Sequence, residues 1–158
     1  MIQEMTRQEC LDLLAHTQLG RLACVKEAQP YIVPFYLAYH NDCLYGFSTV
    51  GQKIEWMRAN PLVCVEVDEV VNFEDWVSII IFGRYEELPD NPQWKTERDF
   101  AYHILQQTAM WWEPGYVNTM LYGEDRPQIS VFYRIQIARI SGRRAIPEPV
   151  TPPAARSR

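Results

Sequence analysis

The sequence lacks several features that mark large functional classes. No apolar run among its 158 residues approaches the roughly 20 that a membrane-spanning helix needs, and its first residues do not have the pattern of a signal peptide. Lysine and arginine form no cluster beyond Arg143-Arg144 and the arginines of the last residues, and the net charge is −5. A nucleic-acid-binding face needs concentrated positive charge. We therefore expect a cytoplasmic protein that binds neither membranes nor nucleic acid.

Motifs for several kinds of chemistry are missing as well. The sequence has no C-x-x-C pair and no G-x-G-x-x-G dinucleotide fingerprint. Its three histidines, His16, His40 and His103, are too scattered for metal-ligand spacing, and no Ser/His/Asp or Cys/His set stands out. The four cysteines are expected to be reduced, mostly buried thiols. They are Cys10, Cys24, Cys43 and Cys64. We predict no metal site and nominate no catalytic residue.

The composition is otherwise that of one globular domain. Hydrophobic residues make up 47% of the chain and charged residues 22%, which is ordinary for such a domain, and the length fits a single one. We expect the domain to span residues 1–145. Residues 146–158 are rich in proline and poor in apolar side chains, so we predict a disordered tail there.

Hydrophobic periodicity and turn residues indicate the secondary structure. Thr6-Arg7-Gln8-Glu9 is a capping box, so a first helix is expected to start there and to stop before Gly20. A short helix is expected after Gly51 and a longer one over 93–109. The predicted strands span 21–25, 31–39, 43–47, 62–67, 76–87 and 129–140. The first three, joined by short polar turns, predict an antiparallel meander. The sum, five to seven strands, predicts a small, mainly β barrel with peripheral helices, an α+β fold.

The segment Val77–Phe82 is apolar at almost every position. A strand that is apolar on both sides must be covered on both sides. In a small barrel one side faces the core, so we expect a second copy of the chain to cover the other side. Gly83 then predicts a bend of the kind that closes barrels.

The most informative stretch runs from Tyr45 to Pro61. A predicted strand ends at Ser48 and Thr49, the chain turns at Gly51, and a short helix opens with Lys53 in its first turn. A helix start has free backbone N–H groups and a partial positive charge; hydroxyls and a lysine beside it make a cradle for phosphate. The alternative is an ordinary strand-to-helix connection with a solvated lysine. We predict that a phosphorylated cofactor binds here.

These residues resemble a known family. The chain is similar to the pyridoxamine 5′-phosphate oxidase-like, FMN-binding split-barrel superfamily, and within it to the branch that includes nitroimidazole-resistance proteins. Each matching segment is weak alone, and their order and spacing make the resemblance specific. The segments are 19–23, 29–34, 44–53, 60–68, 76–78, 83–84, 111–114, 133–135 and 142–143.

The resemblance implies a homodimer of split β-barrels with two FMN sites at the subunit interface. It implies that the phosphate is held by Ser48, Thr49, Gln52 and Lys53. The neighbouring Phe47 is also expected to belong to the cofactor site. It places the flavin ring against the strand at Val33, Pro34, Phe35 and Tyr36. It also suggests Trp111 and Trp112 as a cover from the other subunit. The prediction therefore comprises eleven cofactor-binding residues. The alternatives are an edge strand at Pro34 and a core or interface position for Trp111 and Trp112.

Two departures from the family pattern matter. Related sequences often have an arginine where this chain has Gln52, which removes one charge from the phosphate cradle. Many nitroimidazole-resistance relatives have a histidine where this chain has Phe47, which weakens the expectation of a nitro-reducing role.

Three functions stay open on the sequence. The first is an FMN-dependent oxidoreductase of a small molecule, with NADH or NADPH as reductant. The second is a non-catalytic protein that binds FMN, a deazaflavin or heme. The third is a barrel dimer without a cofactor, because one fold hosts many chemistries.

Overall fold

A computed structural model gives the fold, and it describes residues 1–109 and 129–147. The helices are α1 (Arg7–His16), α2 (Gln52–Ala59) and α3 (Lys95–Leu105), with a 3-10 turn at Pro92–Trp94 before α3. The strands are β1 (Ile2–Met5), β2 (Leu19–Lys26), β3 (Gln29–Tyr36), β4 (Ala38–His40), β5 (Cys43–Thr49), β6 (Leu62–Asn72), β7 (Asp75–Leu88) and β8 (Ser130–Ala145).

All strand pairs are antiparallel and belong to one sheet in the order β3-β2-β6-β7-β8-β5-β4, with β1 paired to β8. The predicted meander of the first three strands is therefore wrong. Two of its turns do join paired strands, β2 with β3 and β4 with β5. However, the predicted strand 31–39 is broken at Leu37, whose N–H donates to the carbonyl of Gln18 at 3.0 Å. After this break the chain crosses to the other end of the sheet.

The result is an open sheet rather than a closed barrel, which confirms the predicted mainly β, α+β split barrel. The gap lies between β3 and β5, because β4 pairs only with the first half of β5, Cys43–Tyr45. The structure has eight strands in its described part, more than the five to seven predicted. The additional ones are β1, for which the sequence predicts no strand, and β4, whose first two residues belong to the predicted strand 31–39.

Prolines explain why the sheet stays open along β3. Along an antiparallel ladder, residue pairs that exchange backbone hydrogen bonds alternate with pairs that do not. The Leu37 N–H donates to Gln18, so every second residue before it on β3 faces β2, and the residues between them face the open edge. Pro34, which pairs with Arg21, and Pro30 are among the residues that face the open edge. Proline has no N–H. The edge of β3 thus lacks two donors that a further strand would need.

Two local predictions agree with the structure. Thr6 and Glu9 form the reciprocal capping box of α1: the Thr6 N–H donates to Glu9 Oε2 at 2.7 Å, and the Glu9 N–H donates to Thr6 Oγ1 at 3.3 Å. The register of β7 against β8 shifts between Phe82 and Gly83, at the position where the sequence predicted an irregularity of the strand. A Cβ on Gly83 would lie 2.5 Å from Ile135, so this position also requires the small residue.

The main core fills the barrel, and a smaller cluster packs under α3. In the main core Ile79 and Ile81 of β7 are buried beside Tyr133, whose side chain is completely buried. Phe82 of the same strand points to the outer face and is 41% exposed. No helix in the described ranges is long and apolar enough to cross a membrane. The predicted disordered tail lies, from residue 148 onward, outside the described residues, as do Trp111 and Trp112.

Candidate functional site

A cavity of about 180 Å3 lies in the gap of the split barrel, between β3 and the junction of β5 with α2. Eight residues line it: Tyr31, Val33, Pro34, Ser48, Thr49, Gly51, Gln52 and Lys53. The cavity therefore joins the strand edge that proline keeps open to the turn that was predicted to hold phosphate.

The start of α2 supplies backbone donors to this cavity. Gly51 caps the helix without a side-chain hydrogen bond, and the first bond of the helix runs from the Glu55 N–H to the Gly51 carbonyl at 3.0 Å. The N–H groups of Gln52 and Lys53 precede that bond, so they have no partner within the helix. They carry the partial positive charge of a helix N-terminus.

Ser48 and Thr49, the last residues of β5, are both buried at the cavity wall. The Ser48 hydroxyl donates to the carbonyl oxygen of Thr49 at 3.1 Å. This bond fixes the Ser48 side chain and leaves its hydroxyl oxygen able to accept a hydrogen bond. In this arrangement the proton of Ser48 is directed at the backbone, so an anion in the cavity would rely on other donors, which include the N–H groups at the start of α2 and Lys53.

Lys53 brings a full charge to the cavity. Its side chain is half-buried, and its Nζ lies 5.9 Å from the centre of the Tyr133 ring. Burial lowers its pKa to about 8, and the nearby thiol of Cys24 opposes that shift only in part. Within residues 1–109 and 129–147 no carboxylate forms an ion pair with Lys53. A cation held in this way is stabilised by an anion that the described residues do not supply.

The donor set fits one phosphate group. It combines backbone N–H groups at a helix start with one ammonium, which is the common composition of phosphate sites. A Cβ added at Gly51 would meet no atom within 4 Å, so space beside the cap is open to a ligand. No acid lines the cavity, and the site is therefore suited to an anion.

The structure brings six of the predicted site residues to one cavity. They are Val33, Pro34, Ser48, Thr49, Gln52 and Lys53. Phe35 instead belongs to the main core, and Tyr36 is half-buried outside the cavity wall. Phe47 packs against Phe132 with ring centres 5.0 Å apart, in the smaller cluster under α3.

Trp111 and Trp112, the predicted cover, lie outside the described residues. Tyr31 was missed as a lining residue. Its ring packs against Trp56 of α2 at 5.5 Å, and alternation along β3, which puts Tyr31 on the side of Val33, could have identified it.

Comparison with known proteins agrees with this architecture. The family model described as pyridoxamine 5′-phosphate oxidase matches residues 6–144. The chain belongs to this family. One relative is an uncharacterised protein of Rhizobium meliloti. It is 37% identical over 144 residues, which is 91% of this chain and 95% of the relative.

Solved structures with the fold of this pyridoxamine 5′-phosphate oxidase family member include a protein of Mesorhizobium loti called FAD-binding. It is 45% identical, with a TM-score of 0.76, and the match covers 92% of this chain and 99% of the other. A putative 5-nitroimidazole antibiotic resistance protein of Bacteroides thetaiotaomicron is 18% identical with a TM-score of 0.63, and the match covers 90% and 88%. The second likeness concerns the fold alone.

Proposed function

We propose that this chain is a flavin-nucleotide-binding protein that holds the ligand's phosphate in the cavity between β3 and α2. The observation that carries the proposal is Lys53, a half-buried cation without a carboxylate partner in the described part of the chain, beside the free N–H groups of a helix start. The flavin ring would then lie along the open edge of β3 near Pro34.

FMN is the first candidate among flavins. The cavity of about 180 Å3 has a single lysine, and this matches a ligand with one terminal phosphate. FAD is the second candidate, because the 45% identical protein of Mesorhizobium loti is called FAD-binding. Each phosphate of FAD carries about one negative charge, whereas the terminal phosphate of FMN carries nearly two at pH 7. A site with Gln52 in place of a second cation suits the lower charge of FAD.

We further propose that the protein is an oxidoreductase of a small molecule, with NADH or NADPH as the reductant. A bound flavin supplies the redox chemistry, while the protein supplies binding, orientation and electrostatics. The residues of the cavity hold the phosphate, and none of them is assigned a proton-transfer step. The four cysteines are free thiols, which supports a location in the reducing cytoplasm.

The proposed assembly is a homodimer with the flavin sites at its interface. On the outer face of the sheet, one row contains Ile32 beside Ala23, Ala23 beside Cys64, and Cys64 beside Phe82. This apolar row crosses four strands and begins on β3, whose Pro34 lines the cavity. A second copy packed on the row would cover it and would bring its own surface close to the flavin ring.

The test is to purify the full chain, record its absorption spectrum and identify the released chromophore by chromatography. We expect a flavin spectrum, with FMN or FAD in the released fraction, and bleaching by NADH or NADPH that air reverses. Flavin that binds but does not bleach would contradict the oxidoreductase proposal and leave a carrier or sensor. A heme spectrum, or no bound and no titratable flavin, would contradict the flavin proposal itself.

A further inference from the structure

The cavity between β3 and α2 encloses an amine. Lys53 lines this cavity, its side chain is half-buried, and its Nζ lies 5.9 Å from the centre of the Tyr133 ring. The chain has two other lysines, and both are exposed: Lys26 ends β2, and Lys95 has its Nζ 2.5 Å from a carboxylate oxygen of Asp99. Of the three lysines, Lys53 alone combines enclosure with the absence of a carboxylate partner in the described ranges.

The enclosure makes this amine a nucleophile near neutral pH. Burial lowers the pKa of Lys53 to about 8. At about pH 8 roughly half of the amine is then neutral, whereas an ordinary lysine, with a pKa of about 10.4, is neutral to only about 0.4%. The neutral amine carries the free electron pair that attacks a carbonyl carbon. Burial also raises the pKa of the neighbouring Cys24 thiol, so this thiol stays protonated and does not compete with Lys53.

The surroundings of Lys53 favour reagents that carry a phosphate group. No acid lines the cavity, and the N–H groups of Gln52 and Lys53 have no partner within the helix. The cavity of about 180 Å3 is smaller than the roughly 300 Å3 at which pockets for drug-sized ligands begin, so a small phosphorylated molecule can enter it whole. An electrophile whose reactive carbon is attached to the phosphate would therefore be held with that carbon near the Lys53 amine.

We propose that Lys53 is a site of acylation by acyl phosphates, which bind through their phosphate in this cavity when no flavin occupies it. The proposal rests on the phosphate site of the proposed function. The electron pair of Nζ forms the new C–N bond, and the bond between the acyl carbon and the bridging oxygen breaks. Inorganic phosphate leaves with the electron pair of that bond and takes up the proton that the amine loses. A bound phosphate favours the ammonium form of the lysine, but it also holds the acyl carbon beside the amine, which accelerates the attack by the neutral fraction.

Acylation of Lys53 prevents the binding of a flavin phosphate. The product is a neutral amide, so the cavity loses the charge of its lysine, and the described lining contains no second lysine or arginine to replace it. The acyl group also occupies part of the cavity. Flavin and acyl phosphate therefore exclude each other: bound flavin protects Lys53 from acylation, and an acylated chain stays without flavin.

The test treats the flavin-free full chain with acetyl phosphate at about pH 8 and follows acetylation of Lys26, Lys53 and Lys95 by peptide mass mapping. We expect Lys53 to react at least about tenfold faster than either other lysine, at a rate that saturates with acetyl phosphate. Inorganic phosphate and FMN should each suppress the reaction at Lys53 and leave Lys26 and Lys95 unchanged. The matched reagent is a neutral acetyl thioester, whose reaction with Lys53 should neither saturate nor respond to inorganic phosphate.

Flavin titration of the treated and untreated chains separates this proposal from the proposed function. The acetylated chain should bind FMN about 10- to 100-fold more weakly than the untreated chain, with its riboflavin affinity unchanged. Equal rates at the three lysines, or a Lys53 rate that inorganic phosphate does not lower, would overturn the acylation proposal even where FMN binds the untreated chain tightly. An untreated chain that binds no flavin would contradict the proposed function, and suppression of Lys53 acetylation by inorganic phosphate would then still support the acylation site.

Discussion

The ammonium nitrogen of Lys53 lies 5.9 Å from the centre of the Tyr133 ring, and the two residues come from α2, which follows β5, and from β8, which pairs with β5. The ring gives the cation a favourable face, but burial still lowers the lysine pKa to about 8. The charge that the cavity offers to a phosphate therefore depends on pH in a range where an ordinary lysine stays protonated.

This pKa predicts how flavin binding responds to pH. Phosphate binds the protonated form of Lys53, and the bound anion in turn raises the pKa of the lysine. Above the pKa of the ligand-free protein the amine is largely neutral, so FMN binding must be accompanied by the uptake of a proton. FMN affinity should thus be nearly constant below the pKa of about 8 and should fall above it by up to about tenfold per pH unit. Fluorescence titration of FMN between about pH 7 and pH 9 measures this.

Riboflavin, which lacks the phosphate, is the control for that titration. Its affinity should stay flat over the same range, because it makes no contact with the lysine. An FMN affinity that does not change, or one that rises with pH, would contradict the assignment of Lys53 as the phosphate's cation.

Gly46 is expected to be essential for stability rather than for binding. A Cβ at this position would lie 2.5 Å from Cζ of Tyr133, and Tyr133 is completely buried. Gly46→Ala should lower the free energy of unfolding by about 1–3 kcal/mol, measured by urea denaturation. Gly51→Ala is the control: its Cβ meets no atom within 4 Å, so only its cap preference is lost, at most about 1 kcal/mol. Equal losses in the two variants would contradict this account.

The hydroxyl of Tyr133 leads to an opposite prediction. It is buried without a hydrogen-bond partner among the described residues, and burial raises the pKa of this phenol. A buried hydroxyl without a partner costs free energy, so Tyr133→Phe should leave stability unchanged or raise it by about 1 kcal/mol. Calorimetry or urea denaturation checks this, and a loss above about 1 kcal/mol would mean that the hydroxyl has a partner.

The outer face of the sheet predicts the assembly. Phe82 lies beside Cys64 in the register, and the guanidinium of Arg139 lies 4.5 Å from the centre of its ring. If a second copy covers this face, Phe82→Lys should place a second positive charge beside Arg139 in the interface and yield monomers in light scattering. Phe73→Lys, in the turn between β6 and β7, should remain dimeric. A monomeric unmodified chain would exclude the dimer.

Local signals in the sequence predicted local structure well, whereas they could not predict which strands pair with each other in the sheet. The capping box of Thr6 and Glu9 fixed the start of α1, and Gly83 marked the register shift of β7. The meander failed because short turns between strands suggested neighbours, while the break at Leu37 sends the chain across the sheet. Long-range pairs such as β5 with β8 depend on the whole core and leave no local signature.

The same distinction applies to the site. Ser48, Thr49, Gln52 and Lys53 are neighbours in sequence, and the turn chemistry was sufficient to group them. Along β3 the prediction took four consecutive residues, of which Val33 and Pro34 line the cavity. Phe35 shares the face of Val33, since side chains alternate along a strand, but it lies farther along β3 and belongs to the core.

The most direct test of the central claim compares FMN and riboflavin binding in three proteins: the unmodified chain, Lys53→Ala and Lys26→Ala. Lys26 is an exposed lysine at the end of β2 and controls for net charge. We predict that FMN binds the unmodified chain and Lys26→Ala more tightly than riboflavin does, and that Lys53→Ala loses about 10- to 100-fold for FMN alone, since it removes one charge-assisted contact. Equal FMN affinity in Lys53→Ala and the unmodified chain would contradict a phosphate site at the start of α2.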